Sequence, residues 1–240
     1  MRRWIVLGLV GALLAALMAL VWFGIIPLNR PSQPVRGVDV SHYQGEIDWP
    51  VLSGQKDLQF AFVKATEGSS AVDGRFAANW TGARAAGLRV GAYHFFSYDS
   101  PGEAQAAHFI ETVPAEPDAL PPVIDVEFYG GYVRSPAPAE VVLPELRAMI
   151  RALTARYGRA PILYCTDRSY RLYIEALADD CDIWIRSVYT APRAPKDWTF
   201  WQYSSRARLK GYAGAERYID LNVYYGDQAS FDAYVRSPLE

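Results

Sequence analysis

The sequence is poor in several residues that mark whole protein classes. Among 240 residues there are two cysteines, three histidines and three methionines. Two cysteines cannot build a disulfide scaffold or a four-thiolate zinc site. The histidines, His42, His94 and His108, form no His-x-x-x-His or His-Glu-x-x-His pair, so the usual helical zinc motifs are absent. No Gly-x-Gly-x-x-Gly follows an apolar run and no Gly-x-Ser-x-Gly elbow occurs, which removes support for a dinucleotide site and for a serine-nucleophile triad. Glycine (18) and proline (16) show no triplet period, so a collagen-like chain is excluded. There is no block of like charges, and the formal net charge is only −2. A protein built to neutralise many nucleic-acid phosphates needs the opposite balance. What is present is an apolar fraction of 51% and an aromatic fraction of 14%, enough for a large packed core and too much for a disordered chain.

The charge is unevenly placed. Residues 1–36 hold four arginines and no acid, so residues 37–240 carry all 26 acids against 20 bases, a net of −6. Residues 4–26 run without a charge, and at about 1.5 Å per residue they are long enough to cross a hydrocarbon layer of ~30 Å as a helix. Three readings compete: an uncleaved anchor, a cleaved signal peptide and a buried core helix. The apolar run exceeds the 7–15 residues of a signal-peptide core, and Val21-Trp22-Phe23 lies where small residues would mark cleavage. This favours the anchor. Trp4 and Trp22 would sit at the two interfaces, and Arg2 and Arg3 beside the helix favour an inside N-terminus. Residues 27–36, with Pro27, Pro31 and Pro34, read as an extended linker. The expected division is therefore 1–26 anchor or signal sequence, 27–36 linker and 37–240 a single domain outside the cytoplasm. A cleaved segment would give a secreted form.

Eight strand-like runs follow, at 37–41, 60–66, 89–96, 122–128, 160–166, 182–189, 199–204 and 218–224. Helical patterns fall at 74–86, 101–112, 139–157 and 169–178, with a short turn at 49–53. Gly87 and Gly158 stand where the helices after the second and fourth strands should stop. Strands alternating with helices predict a parallel sheet covered on both faces. Eight strands, with helices thinning out after residue 178, predict an α/β barrel of modified TIM type, with an open doubly wound sheet as the rival.

The sharpest local signal is Val123-Ile124-Asp125-Val126-Glu127-Phe128. Side chains alternate along a strand, so Asp125 and Glu127 share a face. Two acids ending an apolar strand either face solvent or work on a ligand, one holding a proton while the other stays charged. The first strand reads Gly37-Val38-Asp39-Val40-Ser41, and the last reads Tyr218-Ile219-Asp220-Leu221-Asn222. In a closed barrel these two strands are neighbours. Asp39 and Asp220 would then face Asp125 and Glu127 across one mouth. Aromatic and amide side chains crowd the strand ends. Of these, Tyr43, Tyr93, His94, Trp184, Tyr189, Trp201 and Gln202 are candidates for a polar-rimmed apolar pocket suited to sugar faces. Trp201 and Tyr203 share a face opposite Gln202, so only part of that run can line a pocket. A hydrolytic metal site built on His42 and His94, as in a carbohydrate deacetylase, is the weaker alternative. No metal or cofactor is called for. Cys165 and Cys181 lie 16 positions apart. In an oxidising compartment they could pair, constraining the unfolded chain by roughly 3 kcal/mol; otherwise they are two buried thiols.

These residues carry a family resemblance. Gly37-Val38-Asp39-Val40-Ser41-His42-Tyr43-Gln44-Gly45, Phe62-Val63-Lys64-Ala65-Thr66-Glu67-Gly68, Gly91-Ala92-Tyr93-His94-Phe95, Asp125-Val126-Glu127, Pro161-Ile162-Leu163-Tyr164, Trp201-Gln202-Tyr203 and Ile219-Asp220-Leu221-Asn222 occur in this order. Together they resemble the glycoside hydrolase family 25 lysozymes, the Chalaropsis-type muramidases, over nearly all of residues 37–225. The resemblance implies a modified (β/α) barrel whose last strands lack full helices. It implies hydrolysis of the β-1,4 bond between N-acetylmuramic acid and N-acetylglucosamine in peptidoglycan. It implies Glu127 as general acid, Asp125 as its partner at the substrate's 2-acetamido group, and Asp39 and Asp220 as supporting carboxylates. One departure stands out. The run Trp184-Ile185-Arg186-Ser187-Val188-Tyr189 places Arg186 where the family usually has a small residue. Arg186 either reaches the cleft, to meet a carboxylate of the protein or substrate, or points outward as a solvated charge. Two other functions compete: a catalytically silent peptidoglycan-binding scaffold, and a hydrolase of a related amino-sugar polymer such as chitin.

Overall fold

The computed structural model describes residues 2–22, 29–195 and 197–236. Residues 23–28 lie outside the described residues, and with them the end of the expected apolar run and the start of the expected linker. So do residues 237–240, the end of the expected domain.

Helix α1 (Arg2–Trp22) opens on Arg2 and Arg3 and is uncharged from Trp4 onward. At about 1.5 Å per residue it reaches roughly 30 Å. Its Arg3–Val21 stretch buries nothing against the rest of the protein, which overturns the core-helix reading. An apolar helix with no protein partner fits a membrane anchor or a signal sequence.

The remainder is a closed barrel ringed by helices. Its strands are β1 (Arg36–Val40), β2 (Leu58–Glu67), β4 (Arg89–Phe95), β5 (Val123–Val126), β6 (Ile162–Thr166), β7 (Ile183–Arg186), β8 (Phe200–Ala207) and β9 (Ile219–Tyr224), with a two-residue β3 (Ala71–Val72) folded back onto β2. The barrel order is β1-β9-β8-β7-β6-β5-β4-β2, and a β1–β2 pairing closes the ring. Helices α2 (Trp49–Ser53), α3 (Phe76–Ala85), α4 (Gly102–Thr112), α5 (Ala139–Tyr157) and α6 (Asp167–Leu172) occupy the first five crossovers. Between β7 and β9 the described residues hold no helix, as the thinning helical pattern predicts. The sequence-based reading did not include β3 or the C-terminal helix α7 (Gln228–Arg236).

One strand departs from the parallel expectation. β9 runs antiparallel to both β8 and β1. No helix separates β8 from β9, and a connection too short for a crossover can only return the chain in the opposite direction.

Alternation sorts the strands into two cores. Outward residues such as Ala61, Val63, Ile124, Leu163 and Ile185 pack under the helices. Inward residues Phe60, Phe62, Val123, Ile162, Trp184 and Phe200 fill the barrel. The rings of Phe62 and Trp184 stack with centroids 4.4 Å apart. Gly37 and Gly91 face the rings of Phe60 and Phe62 so closely that a Cβ on either would overlap them. Helix α7 closes the bottom with fully buried Phe231 against Phe60 and Tyr224. Burying that one ring stabilises the plug by about 1.5–3 kcal/mol. The polar inward residues are left for the opposite end.

Cys165 and Cys181 are free, buried thiols, so the disulfide expectation is not met. The register explains it. Cys165 pairs with Ile185 across β6 and β7, and Cys181 lies four residues before Ile185 on the same side. At about 3.3 Å per residue the two are offset by roughly 13 Å, far beyond the ~7 Å Cα limit of a bridge.

Candidate active site

A cleft of about 490 Å³ opens at the rim where the parallel strands end. Five acids line it; four are delivered by strands, Asp39 from β1, Asp125 from β5, Glu127 just past β5 and Asp220 from β9, and the fifth, Glu216, comes from the β8–β9 connection. Asp39 and Asp220 are direct partners in the β1–β9 register, and their carboxyls share a hydrogen bond. The antiparallel direction of β9 is what puts Asp220, near the start of its strand, at this rim.

Asp39 anchors a buried polar network. Asn222 Nδ2 donates to Asp39 Oδ2 at 2.7 Å, and Gln202 Nε2 donates to the same oxygen at 3.0 Å. Trp184 Nε1 donates to Asn222 Oδ1 at 2.9 Å, and the Tyr164 hydroxyl donates to Gln202 Oε1 at 3.0 Å. Each amide thus uses both of its ends, and neither can flip without orphaning a buried group.

Burial raises the pKa of the four strand-borne acids, because a poorly solvated carboxylate is disfavoured. For Asp39 the hydrogen bonds from Asn222 and Gln202 oppose the rise. Asp220 goes well above the ordinary range, through burial and then the charge of Asp39. Asp125 also rises well above its ordinary value, through burial and then the charge of Glu127. Glu127 is raised by burial, against the pull of the Arg186 cation. Asp125 Oδ1 is buried with no hydrogen-bond partner. It is a strong acceptor waiting for a donor.

The sequence candidates divide cleanly. Tyr43, Tyr93, Trp184, Arg186 and Gln202 line the cleft beside the four acids. Tyr43 is brought to the mouth by a short 3-10 turn, His42–Gln44, capped by Ser41. Trp184 and Gln202 form the floor, both nearly fully buried. Arg186 faces the cleft, which settles its direction.

Three candidates do not line it. His94 alternates with Tyr93 and so points out of the barrel. It is fully buried under α4, with Nδ1 2.7 Å from Thr66 Oγ1 and Nε2 3.0 Å from Gln105 Oε1. Burial lowers its pKa to about 4. Trp201 alternates with Gln202 and packs in the outer core, donating from Nε1 to the Ser187 carbonyl at 2.9 Å. Tyr189 lies beyond β7 and is exposed outside the cleft. The metal alternative loses its histidine pair, since His42 Nδ1 instead meets Asp73 Oδ2 at 2.7 Å. Among the described residues no group of three or more His, Cys, Asp or Glu is placed to hold a metal ion.

The cleft also holds residues that were not singled out. Lys64 lines it and follows Phe60 and Phe62 at spacing two on β2, and Asn222, which follows Asp220 on β9, supports Asp39 from beneath the cleft. Alternation alone could have found both. Glu216 lies outside any strand and carries no such signal.

Comparison with known proteins places this geometry. The sequence model of the glycosyl hydrolases family 25 matches residues 38–212. The structure of a family 25 glycosyl hydrolase from Bacillus anthracis is 52% identical and superposes with a TM-score of 0.80, covering 86% of this chain and 95% of that one. The bacterial lysozyme from Streptomyces coelicolor is 31% identical with a TM-score of 0.75, over 86% of this chain and 99% of that one. Lysozyme M1 of Streptomyces globisporus is 33% identical over 213 residues, 81% of this chain and 69% of that protein. With the four acids gathered at one rim of the modified barrel and the family matched along most of its length, the chain belongs to glycoside hydrolase family 25.

Proposed function

We propose that this protein is a muramidase that hydrolyses the β-1,4 bond between N-acetylmuramic acid and N-acetylglucosamine in peptidoglycan. The observation that carries this reading is the Asp125–Glu127 pair. Both acids sit in one cleft, both are pushed toward the protonated form by burial, and one buried oxygen has no partner.

The chemistry follows from that pair. In the free cleft the two acids hold a proton between them. A glycan entering over the Trp184 and Tyr93 side chains presents its 2-acetamido N–H to Asp125 Oδ1. That hydrogen bond stabilises the Asp125 carboxylate and leaves the proton on Glu127. Glu127 donates it to the glycosidic oxygen as the bond breaks, while Asp125 and the acetamido group steady the positive charge growing at the sugar carbon. Asp39 and Asp220, tied to the floor by Asn222 and Gln202, keep the opposite wall in place.

The apolar α1 directs the chain to the export pathway, with the barrel outside the cytoplasm. We assign α1 as a retained anchor, so the glycan is met close to the membrane. An anchor raises the local concentration of enzyme at its polymer, as a wall-binding module would.

The test is product analysis with the full-length protein in detergent. Peptidoglycan is digested, the products are reduced with borohydride, and the new ends are identified by mass spectrometry. New reducing-end muramic acid, lost in a folded Glu127→Gln variant, is the expected result. New reducing-end glucosamine would overturn the bond assignment. Retained turnover in the variant would overturn the role of Glu127.

A further inference from the structure

Arg186 is anomalous in the cleft. It lies two residues beyond Trp184 on β7, on the same inward face, and its backbone pairs with Gln202 and Thr166 on the flanking strands. Its guanidinium is partly buried among the site's acids and tyrosines. Burial disfavours its charge, but Tyr164, Glu127 and Asp220 hold it firmly cationic. Yet none of these groups touches it. Among the described residues it makes no hydrogen bond and no ion pair within 4 Å. The other cation of the cleft behaves differently. Lys64 is bound to Glu67 at 2.6 Å and lies over the ring of Phe95.

A guanidinium carries five donors in a planar fork. Holding it half-desolvated with every donor unused is costly unless a ligand completes it. A merely structural counter-ion would contact one of the four acids. Glu127 and Asp220 act on it through their charge, without a hydrogen bond or an ion pair, so no group among the described residues engages its fork.

We propose that Arg186 is a specificity-determining residue that binds a carboxylate on the glycan. The proposal rests on the muramidase reading and refines its substrate. N-Acetylmuramic acid stripped of its peptide has a free lactyl carboxylate. When the peptide stem is present that group becomes an amide, and the carboxylates are those of the stem. Both sources offer the same planar anion, which matches the fork of Arg186 with two parallel hydrogen bonds. The acidic walls otherwise repel such a group. Arg186 is the one unpaired cation, among the described residues lining the cleft, that can receive it.

The test compares four soluble glycans on the full-length protein in detergent. Two are peptide-free and stem-bearing strands in their natural acid form. The other two are the same strands with every carboxylate converted chemically to an amide. The kcat/KM ratio of acid to amide form is measured at each variant's own pH optimum, because Arg186 also acts on Glu127. We expect a preference of about ten- to a hundredfold for the acid form, the size of a charge-assisted hydrogen bond. The pair that shows it identifies the source, lactyl or stem. Arg186→Ala should reduce the ratio to near one, mainly through KM, and Arg186→Lys should keep part of it. An acid-to-amide ratio near one in the wild type would overturn the proposal. So would an unchanged ratio in Arg186→Ala. If no glycan is cleaved, the muramidase reading fails instead. The affinities of the four glycans for the Glu127→Gln variant, read by tryptophan fluorescence, then decide the role of Arg186 separately.

Discussion

Replacing Asn222 by Leu tests how the floor of the cleft is held. Asn222 is fully buried and bridges Asp39 to Trp184. Leucine keeps the same branched arrangement of four side-chain heavy atoms, so no cavity opens, and its bulkier methyl groups can only add to the loss by overpacking. Two losses add. The 2.7 Å bond to the Asp39 carboxyl is of the charge-assisted kind, worth about 1.5–3 kcal/mol. The Trp184 Nε1–H, which donates to Asn222 at 2.9 Å, is left buried without an acceptor, at a cost of about 1–3 kcal/mol. The variant should therefore lose roughly 3–5 kcal/mol, a large part of the 5–15 kcal/mol that holds a typical domain. For a domain of this size that lowers Tm by on the order of 10 °C. Asn222 is also the strongest influence opposing the raised pKa of Asp39, so that pKa should climb further in the variant. Thermal melts and urea titrations of the full-length protein give the stability. A double-mutant cycle with Trp184→Phe isolates the orphaned N–H. Phenylalanine has no donor to orphan, so the double variant should be less destabilised than the sum of the singles by about 1–3 kcal/mol. Strict additivity, or a single-variant loss below about 1 kcal/mol, would refute the network as drawn.

Further expectations concern other parts of the molecule. Glu127→Gln should keep the fold and lower turnover by about 10²–10⁴-fold, checked by the product assay beside a melt. Asp220→Asn should stabilise the protein at neutral pH while reducing activity. An acid whose folded pKa is raised binds its proton more tightly in the native state, so its contribution falls as pH climbs above its unfolded pKa; urea titrations at pH 4 and pH 7 reveal the difference. His94 has the opposite sign. Its pKa falls to about 4 on folding, so the stability it supplies is complete above about pH 6.5 and is lost toward pH 4, up to roughly 3 kcal/mol. A His94→Gln variant should flatten the stability profile in that window, and an unchanged slope would count against the buried neutral imidazole. Both thiols should be titratable in denaturant without reductant, and reductant should leave Tm unchanged. A Cβ on Gly102 would overlap the backbone of Glu145, so Gly102→Ala should force α4 off α5 and cost about 1–3 kcal/mol, read by urea denaturation.

Much of this molecule was legible in one dimension. Eight strand-like runs and the helices between them follow from local apolar patterns, because each element must bury a face of its own. The barrel puts Asp125 and Glu127 in one cleft and makes β1 and β9 neighbours, and both rest on rules that a sequence obeys: side chains alternate, and the last strand of a closed ring meets the first. The length and apolarity of α1 are likewise written in composition. Other decisions needed the folded ring. Both faces of a barrel strand are buried, so apolar patterning cannot tell inside from outside. Hence Tyr93 and His94, or Gln202 and Trp201, read alike until the barrel sends one of each pair inward and the other under a helix. Strand direction was also hidden. A parallel β9 would carry Asp220 to the far rim; the antiparallel return after β8 brings it to Asp39. The offset between Cys165 and Cys181 is a matter of register between two strands, which spacing along the chain does not encode. Arg186 was undecided for the same reason. Its charge is a property of the residue, but its want of a partner is a property of everything that packs around it.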